Sequence, residues 1–269
     1  MKIAMIGGSG FVGTAMRQVL KSRNCGHEIK VIDINEPKDK WHDGFAEASV
    51  LDERALENAL KEIDALMYLA MVPQSQWQSS NAQLEINETG LSNALCAARA
   101  AGVQKAVYAS TLNVYDDWSK KEKYFSEDNP PPDAQFIHDP YGYTKIFGEA
   151  ICKSHSDNGM TVTALRLSGP RPDKETDDLP SSHKLNWEAD AREGYTYNTA
   201  ITDVAAAAIL SLKRTDPGFR VYFATGDYEE RKLNQSRIKD GLGWFPRARL
   251  NKGGKIYFID KEGLKRALS

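Results

Sequence analysis

The sequence predicts an α/β fold, a doubly wound parallel sheet with a small C-terminal lobe. Three observations predict it. Short apolar runs alternate with stretches of helical period along most of the chain, the pattern of parallel strands joined by crossover helices. The first run, Lys2 to Ile6, enters a glycine-rich turn that opens directly into a helix. The length of 269 residues, 41% hydrophobic and 27% charged, fits one large domain with an appended lobe.

The glycines of the first turn fall at 7, 10 and 13, a G-x-x-G-x-x-G spacing. Gly7 permits the tight turn, Gly10 lets the backbone approach a diphosphate, and Gly13 lets the helix pack close to the sheet. That helix, Phe11 to Ser22, is apolar at Val12, Ala15, Met16, Val19 and Leu20. Its N-terminus, with Phe11 and Val12 in the first turn, offers N–H groups and a positive dipole end to phosphates. The second strand, His27 to Ile34, ends in Asp33, 20 residues after Gly13. A carboxylate there accepts both ribose hydroxyls of an adenosine and repels a 2′-phosphate, so the expected cofactor is NAD rather than NADP. Lys38 and Lys40 read as solvated loop charges.

Phe45 to Val50 is a weaker third strand. Asp52 then either contacts the adenine amine or caps the helix Glu53–Ile63. Ala65 to Met71 is a fourth buried strand, and its end at Leu69 and Ala70 is expected against the cofactor, because ligands bind beyond the carboxyl ends of parallel strands. The polar loop from 72 to 80, with Gln74 and Ser75, is a candidate substrate wall. One long helix is expected over 81–101, ending at Gly102. Asn87 inside it requires a partner and is expected to tie down the neighbouring strand beside the cofactor. Lys105 to Thr111 is the fifth strand and ends in two hydroxyls, Ser110 and Thr111, followed by Asn113. The acidic, proline-bearing stretch 116–139 reads as a long loop, of the kind that is functional or mobile. Pro140 opens the next helix, which runs to about Ser156. Met160 to Leu167 is the sixth strand and leads into Ser168. In the irregular segment beyond, Arg171, His183 and Lys184 either meet an anionic group of a substrate or stand as solvated charges. A helix over 200–213 and a strand over 220–226 complete the pattern, with Trp244 and Phe245 expected to pack the small lobe.

The bulk numbers exclude several classes. A formal net charge of -2 makes no electrostatic case for nucleic acid or an anionic membrane. Three cysteines, at 25, 96 and 152, are too few and too scattered for a disulfide framework or a metal site. Cys96 and Cys152 lie in helical runs and read as buried thiols. The apolar run after Met1-Lys2 is too short for a leader and no stretch is long enough to span a bilayer, so the expected compartment is the cytoplasm.

The chemistry is expected at Tyr141-Gly142-Tyr143-Thr144-Lys145. Residues four apart share a helix face, which sets the Lys145 ammonium beside the Tyr141 phenol. A tyrosine titrates near ~10 in isolation. A fixed cation favours its charged form, and such a phenolate takes a proton from a hydroxyl or returns one to a carbonyl.

With Gly7, Gly10, Gly13, Asp33, Thr111, Tyr141 and Lys145 in this order, the chain resembles the extended short-chain dehydrogenases/reductases, and among them the NAD-dependent sugar epimerase/dehydratase group. The likeness extends to Asn87-Glu88-Thr89-Gly90, Pro140-Tyr141-Gly142, Leu165-Arg166 and Ile201-Thr202-Asp203-Val204-Ala205. It implies a Rossmann-type NAD-binding domain with the catalytic helix over residues 1-168, and a substrate-binding lobe over 169-269 of which about 199-226 packs back on the sheet. It implies Tyr141 as acid/base, Lys145 as the residue that also holds the nicotinamide ribose, and Thr111, four before Tyr115, as the group that polarises the substrate. The expected cofactor contacts are Gly7, Gly10, Phe11, Val12, Gly13, Asp33, Asp52, Leu69, Ala70, Asn87, Ser110, Tyr141 and Lys145. The expected substrate contacts are Gln74, Ser75, Asn113, Ser168 and Arg171. In the resembling family, small residues such as Ala94, Ala97, Ala98 and Ala150 pair two subunits, so a homodimer is expected.

The departures narrow the reading. Dehydratases of this group carry an Asp-Glu pair after the threonine, where this chain has Leu112-Asn113. Only 103 residues follow Arg166, fewer than the epimerases that hold nucleotide sugars use. The layout is similar to uronate dehydrogenases and related sugar dehydrogenases, although their Ser-Asn-His is absent here. The expected activity is NAD-dependent oxidation of a hydroxyl on a small sugar or sugar acid. An epimerase with the same Thr111, Tyr141 and Lys145 is the alternative, and a dinucleotide sensor without chemistry is a third reading.

Overall fold

The computed structural model describes residues 1–72, 80–116, 118, 123–132, 140–173, 187, 195–251 and 255–269. Seven strands form one sheet: β1 (Lys2–Ile6), β2 (Glu28–Asp33), β3 (Gly44–Glu47), β4 (Ala65–Tyr68), β5 (Lys105–Thr111), β6 (Thr161–Leu167) and β7 (Gly218–Ala224). Their order is β3-β2-β1-β4-β5-β6-β7, and every adjacent pair is parallel. The chain reverses direction across the sheet between β1 and β4. This opens a crevice at the carboxyl ends of those two strands.

Parallel strands need crossover helices, which bury both faces of the sheet. That is why β1 is apolar at every position after Lys2. Ile3 and Met5 pack into one layer with Met16, Val19, Ile209 and Trp244. Ala4 and Ile6 pack into the other with Leu66, Leu91, Leu95 and Tyr108. The helices are α1 (Phe11–Ser22), α2 (Glu53–Ala59), α3 (Ser80–Gln83), α4 (Gly90–Ala100), α5 (Pro140–Asp157), α6 (Ile201–Leu212), α7 (Ser236–Leu242) and α8 (Lys261–Leu268). Strands β8 (Ala248–Leu250) and β9 (Ile256–Phe258) pair antiparallel in a separate hairpin.

Four expectations need correction. The helix expected over 81–101 is not uniform: Leu84–Thr89 is a π-helical turn between α3 and α4. The wider turn, in which the Gly90 amide donates to the Glu85 carbonyl, carries Asn87, whose side chain bonds to two other segments. Cys96 is exposed rather than buried, since it lies on the outer face of α4, whereas Cys152 is buried. Ala94, Ala97 and Ala98 are buried in the chain's own core, so these three side chains are unavailable to a second subunit. Trp244 is fully buried in the main core with β1 and α6, not in a separate lobe, and its Nε1 donates to the Asp203 carbonyl at 3.0 Å. Ile238, Leu264, Ala267 and Leu268 join the same cluster.

Asp203 anchors that closure. Its carboxylate is fully buried at the start of α6 and accepts from the Arg247 and Ala248 amides at 2.9 and 2.8 Å. Burial pushes its pKa up to about 6, against the downward pull of those two bonds. A carboxyl raised above its unfolded value near ~3.9 adds stability below that value and loses it as pH rises through the folded value. Asp203→Asn keeps an acceptor oxygen and removes the charge. It is expected to match the parent near pH 4 and to exceed it at pH 8 by a few kcal/mol in urea unfolding, because each unit by which the folded-state pKa is raised costs the ionised form about 1.4 kcal/mol.

Candidate active site

The crevice at the β1/β4 reversal is a cleft of about 560 Å³. Gly7, Gly10 and Phe11 form one wall, Asp33 and Ile34 a second, and Leu69 and Ala70 a third. Gly7 has φ +78°, and a Cβ added there would lie 2.4 Å from the Ala70 backbone nitrogen. Only glycine lets β1 turn this close to the end of β4. Gly7→Ala is therefore expected to spread β1 from β4, lowering Tm by several degrees and removing measurable NAD binding in a calorimetric titration.

The Asp33 carboxylate accepts from the Ser9 amide at 3.0 Å and the Asn35 amide at 3.1 Å. Each carboxylate oxygen keeps further lone pairs for ribose hydroxyls. Helix α1 has no side-chain N-cap and no acid in its first turn, which leaves its positive end suited to an anion.

Helix α5 lies across the end of β5. Lys145 is 3% exposed, and its Nζ donates to the Ala109 carbonyl of β5 at 2.8 Å. The ammonium sits 4.8 Å from the centre of the Tyr108 ring and 5.6 Å from that of Tyr141. Burial lowers its pKa to about 8, an effect that Cys152 and Glu149 oppose, so it remains mostly cationic at neutral pH. One turn earlier Gly142 rests against the Asn113 carbonyl, where a Cβ would approach to 2.3 Å. Thr111 thus stands between two points, Ala109 and Asn113, at which the β5 segment touches α5. It is 8% exposed and its Oγ1 accepts from the Asn113 amide at 3.2 Å.

Asn87 links the cleft to this helix. Its Oδ1 accepts from the Val72 amide at 3.0 Å, and its Nδ2 donates to Thr144 Oγ1 at 3.1 Å. Thr144 Oγ1 donates to the Tyr141 carbonyl at 3.0 Å. Val72 lines the cleft, so one buried amide ties the cleft wall to the first turn of the Tyr141 helix.

A buried ion pair supports that helix, and sequence reasoning missed it. Glu149 Oε1 accepts from Arg166 Nε at 2.9 Å and from Ser110 Oγ at 2.6 Å, and Oε2 accepts from Arg166 Nη2 at 2.7 Å. Arg166 Nη1 also donates to the Tyr115 hydroxyl, which donates to the Ser126 and Asn129 carbonyls. Two signals were available: an acid four residues after Lys145 on an apolar helix face, and an arginine in a strand buried on both sides.

The remaining expected residues divide. Gly10, Phe11, Leu69 and Ala70 line the cleft, while Val12 and Gly13 lie behind it in α1. Asp52 caps α2 by accepting from the Ala55 amide at 2.9 Å, and Ser49 and Val50 take the cleft wall instead. Ser110 is turned to Glu149. The buried Ser168 accepts Thr199 Oγ1 on its carbonyl at 3.0 Å, and the Arg171 guanidinium lies 5.3 Å from the Trp187 ring centre. Gln74, Ser75, His183 and Lys184 fall outside the described residues.

A family model of the NAD dependent epimerase/dehydratase family matches residues 3–193. The chain belongs to this epimerase/dehydratase family. It is similar to GDP-mannose 3,5-epimerase 1 of Oryza sativa subsp. indica, 26% identical over 319 residues that cover 99% of this chain and 83% of that protein. Among solved structures, uronate dehydrogenase from Agrobacterium tumefaciens superposes with a TM-score of 0.69 at 20% identity, covering 94% of this chain and 85% of that one. UDP-glucose 4-epimerase from Thermotoga maritima superposes with a TM-score of 0.73 at 18% identity, covering all of both chains. These two likenesses carry the fold.

In this epimerase/dehydratase-family enzyme, the cleft residues fit NAD. The Gly7–Gly10 turn and the bare end of α1 suit a diphosphate, Asp33 suits a ribose, and Ile34, 61% exposed at the rim, gives an apolar surface for adenine. When bound, NAD supplies a hydride acceptor at its nicotinamide ring.

Proposed function

We propose that the protein is an NAD-dependent dehydrogenase that oxidises a hydroxyl of a small sugar or sugar acid. The observation that carries the reading is the buried Lys145 ammonium, fixed by the Ala109 carbonyl beside the Tyr141 ring. Held there, the cation favours the Tyr141 phenolate over the phenol. The phenolate accepts the hydroxyl proton as hydride leaves the same carbon, and the Thr111 hydroxyl orients the reacting oxygen. Lys145 would also hold the nicotinamide ribose when NAD is bound.

Two features support the reading. Leu112 and Asn113 follow Thr111, and Leu112 is fully buried, so no acid pair is present there to drive loss of water. The described residues after β7 fold back on the sheet layers through Trp244, Leu264 and Leu268. An NAD-reduction screen over aldoses, hexuronates and their phosphates tests the reading. At least one free sugar or uronate should reduce NAD with kcat near 1 s⁻¹ or above, within the usual range for enzymes of roughly 1–10³ s⁻¹. Silence across the panel, with a nucleotide sugar converted and no net NADH formed, would overturn it.

That second outcome defines the competing reading, an epimerase in which the hydride is returned after the substrate turns. It is favoured by the likeness to GDP-mannose 3,5-epimerase 1, which covers 99% of this chain. A homodimer is also proposed, through the outer faces of α4 and α5, where Cys96, Phe147 and Ala150 are exposed. Sedimentation of a Phe147→Glu variant at the monomer mass, with the parent at twice that mass, is the expected result.

A further inference from the structure

We propose that Arg17 is a positioning residue for the adenosine-diphosphate half of NAD, joining the glycine turn and the β2–β3 loop into one rigid binding surface. Arg17 lies on α1 and is fully buried, and it is not among the residues that line the cleft. Its guanidinium reaches both sides. Nε donates to the Gly8 carbonyl at 3.1 Å, inside the glycine turn. Nη2 donates to Thr14 Oγ1 at 3.2 Å, and that hydroxyl donates to the Ser9 carbonyl at 3.4 Å. On the other side, Nη1 and Nη2 grip both oxygens of Asp39 at 2.7 and 3.0 Å, and Nη1 also reaches the Trp41 carbonyl at 3.3 Å. All of the donor nitrogens are used, and the planar fork makes this set specific to arginine.

The two segments it joins are those that meet the cofactor. Ser9 and Asn35 both line the cleft and both orient the Asp33 carboxylate through their amides. Ser9 Oγ also donates to the Asn35 carbonyl at 2.6 Å. Asp39 follows four residues after Asn35 in the same loop. Holding Asp39 therefore holds the far end of the loop whose near end carries the ribose carboxylate. A buried ion pair is a poor source of net stability, because desolvation of the charges offsets their attraction. Its value here is geometric: a binding site works when its groups sit within about 0.5 Å of their productive positions.

The inference rests on the family's NAD site and not on the proposed substrate, so it stands or falls separately from the sugar screen. The test is calorimetric titration of the full chain with NAD and with ADP-ribose, which shares the adenosine-diphosphate half and lacks nicotinamide. Arg17→Met and Asp39→Asn are each expected to raise the Kd of both ligands by the same factor, about tenfold or more, through lost preorganisation. Arg17→Lys should not restore affinity, because an ammonium cannot bridge the same five acceptor atoms. A fall in Tm with both Kd values within threefold of the parent would mean that Arg17 is merely structural, and would overturn the proposal. Weakened NAD with unchanged ADP-ribose would overturn it too. Should Arg17→Met fail to fold, Asp39→Asn carries the test, since it leaves the arginine in place and preserves side-chain volume.

Discussion

Tyr141→Phe is expected to lower kcat by about 10³-fold, within the range of roughly 10²–10⁴ that a positioned acid or base contributes. The affinity for NAD should stay within about twofold, because the ring remains beside Lys145 and only the hydroxyl is lost. An interaction made only in the transition state lowers kcat and kcat/KM together and leaves ground-state binding alone. The measurement is steady-state NADH formation at saturating NAD, paired with a calorimetric NAD titration. Full activity in the variant would remove the proposed mechanism. Loss of NAD binding together with kcat would mean that the substitution had disturbed the α5 turn rather than the chemistry.

The second large effect concerns stability. Glu149→Ala should lower unfolding free energy by about 3–5 kcal/mol, the usual cost of leaving one partner of a buried ion pair uncompensated. Glu149 accepts from Arg166 on both carboxylate oxygens and from Ser110, and the three side chains are buried. Burial disfavours the charged Arg166, and Glu149 outweighs it, holding the guanidinium pKa above its ordinary value. Without the acid, the guanidinium is stranded between β6 and α5. The double variant Glu149→Leu/Arg166→Leu, which removes both charges, should recover most of the loss in urea unfolding. A Glu149→Ala cost below about 1 kcal/mol would mean that water reaches the pair, as in exposed salt bridges. Because Glu149 lies one turn beyond Lys145 on α5, the same variant should also reduce activity in proportion to the disorder of that turn.

Residues that act through their own backbone segment were legible from sequence. The β1 run, the glycines at 7, 10 and 13, and the helix Phe11–Ser22 appear with the bounds that periodicity implies. Asp33 follows because a strand end after a glycine turn has one place to go in a parallel sheet. Lys105–Thr111 is also recovered as read, since an apolar run closed by hydroxyl residues has no competing helical period. The π-helical turn at Leu84–Thr89 was not legible, because its local pattern is that of an ordinary helix. The partners of Asn87 in that turn, Val72 and Thr144, lie 15 and 57 positions away. The Arg17 bridge is hidden for the same reason, as its acid lies 22 residues away across the first βαβ unit.

By itself, then, the sequence determined the parallel sheet, the dinucleotide turn and the pairing of Tyr141 with Lys145, since each depends on spacing within a strand or a helical turn. Only the tertiary structure decided which polar groups are left to work. It turned Ser110 to Glu149, used Asp52 as a helix cap and buried Lys145 against Ala109. The physical reason is that a buried polar atom must find a partner, and packing between distant segments selects that partner.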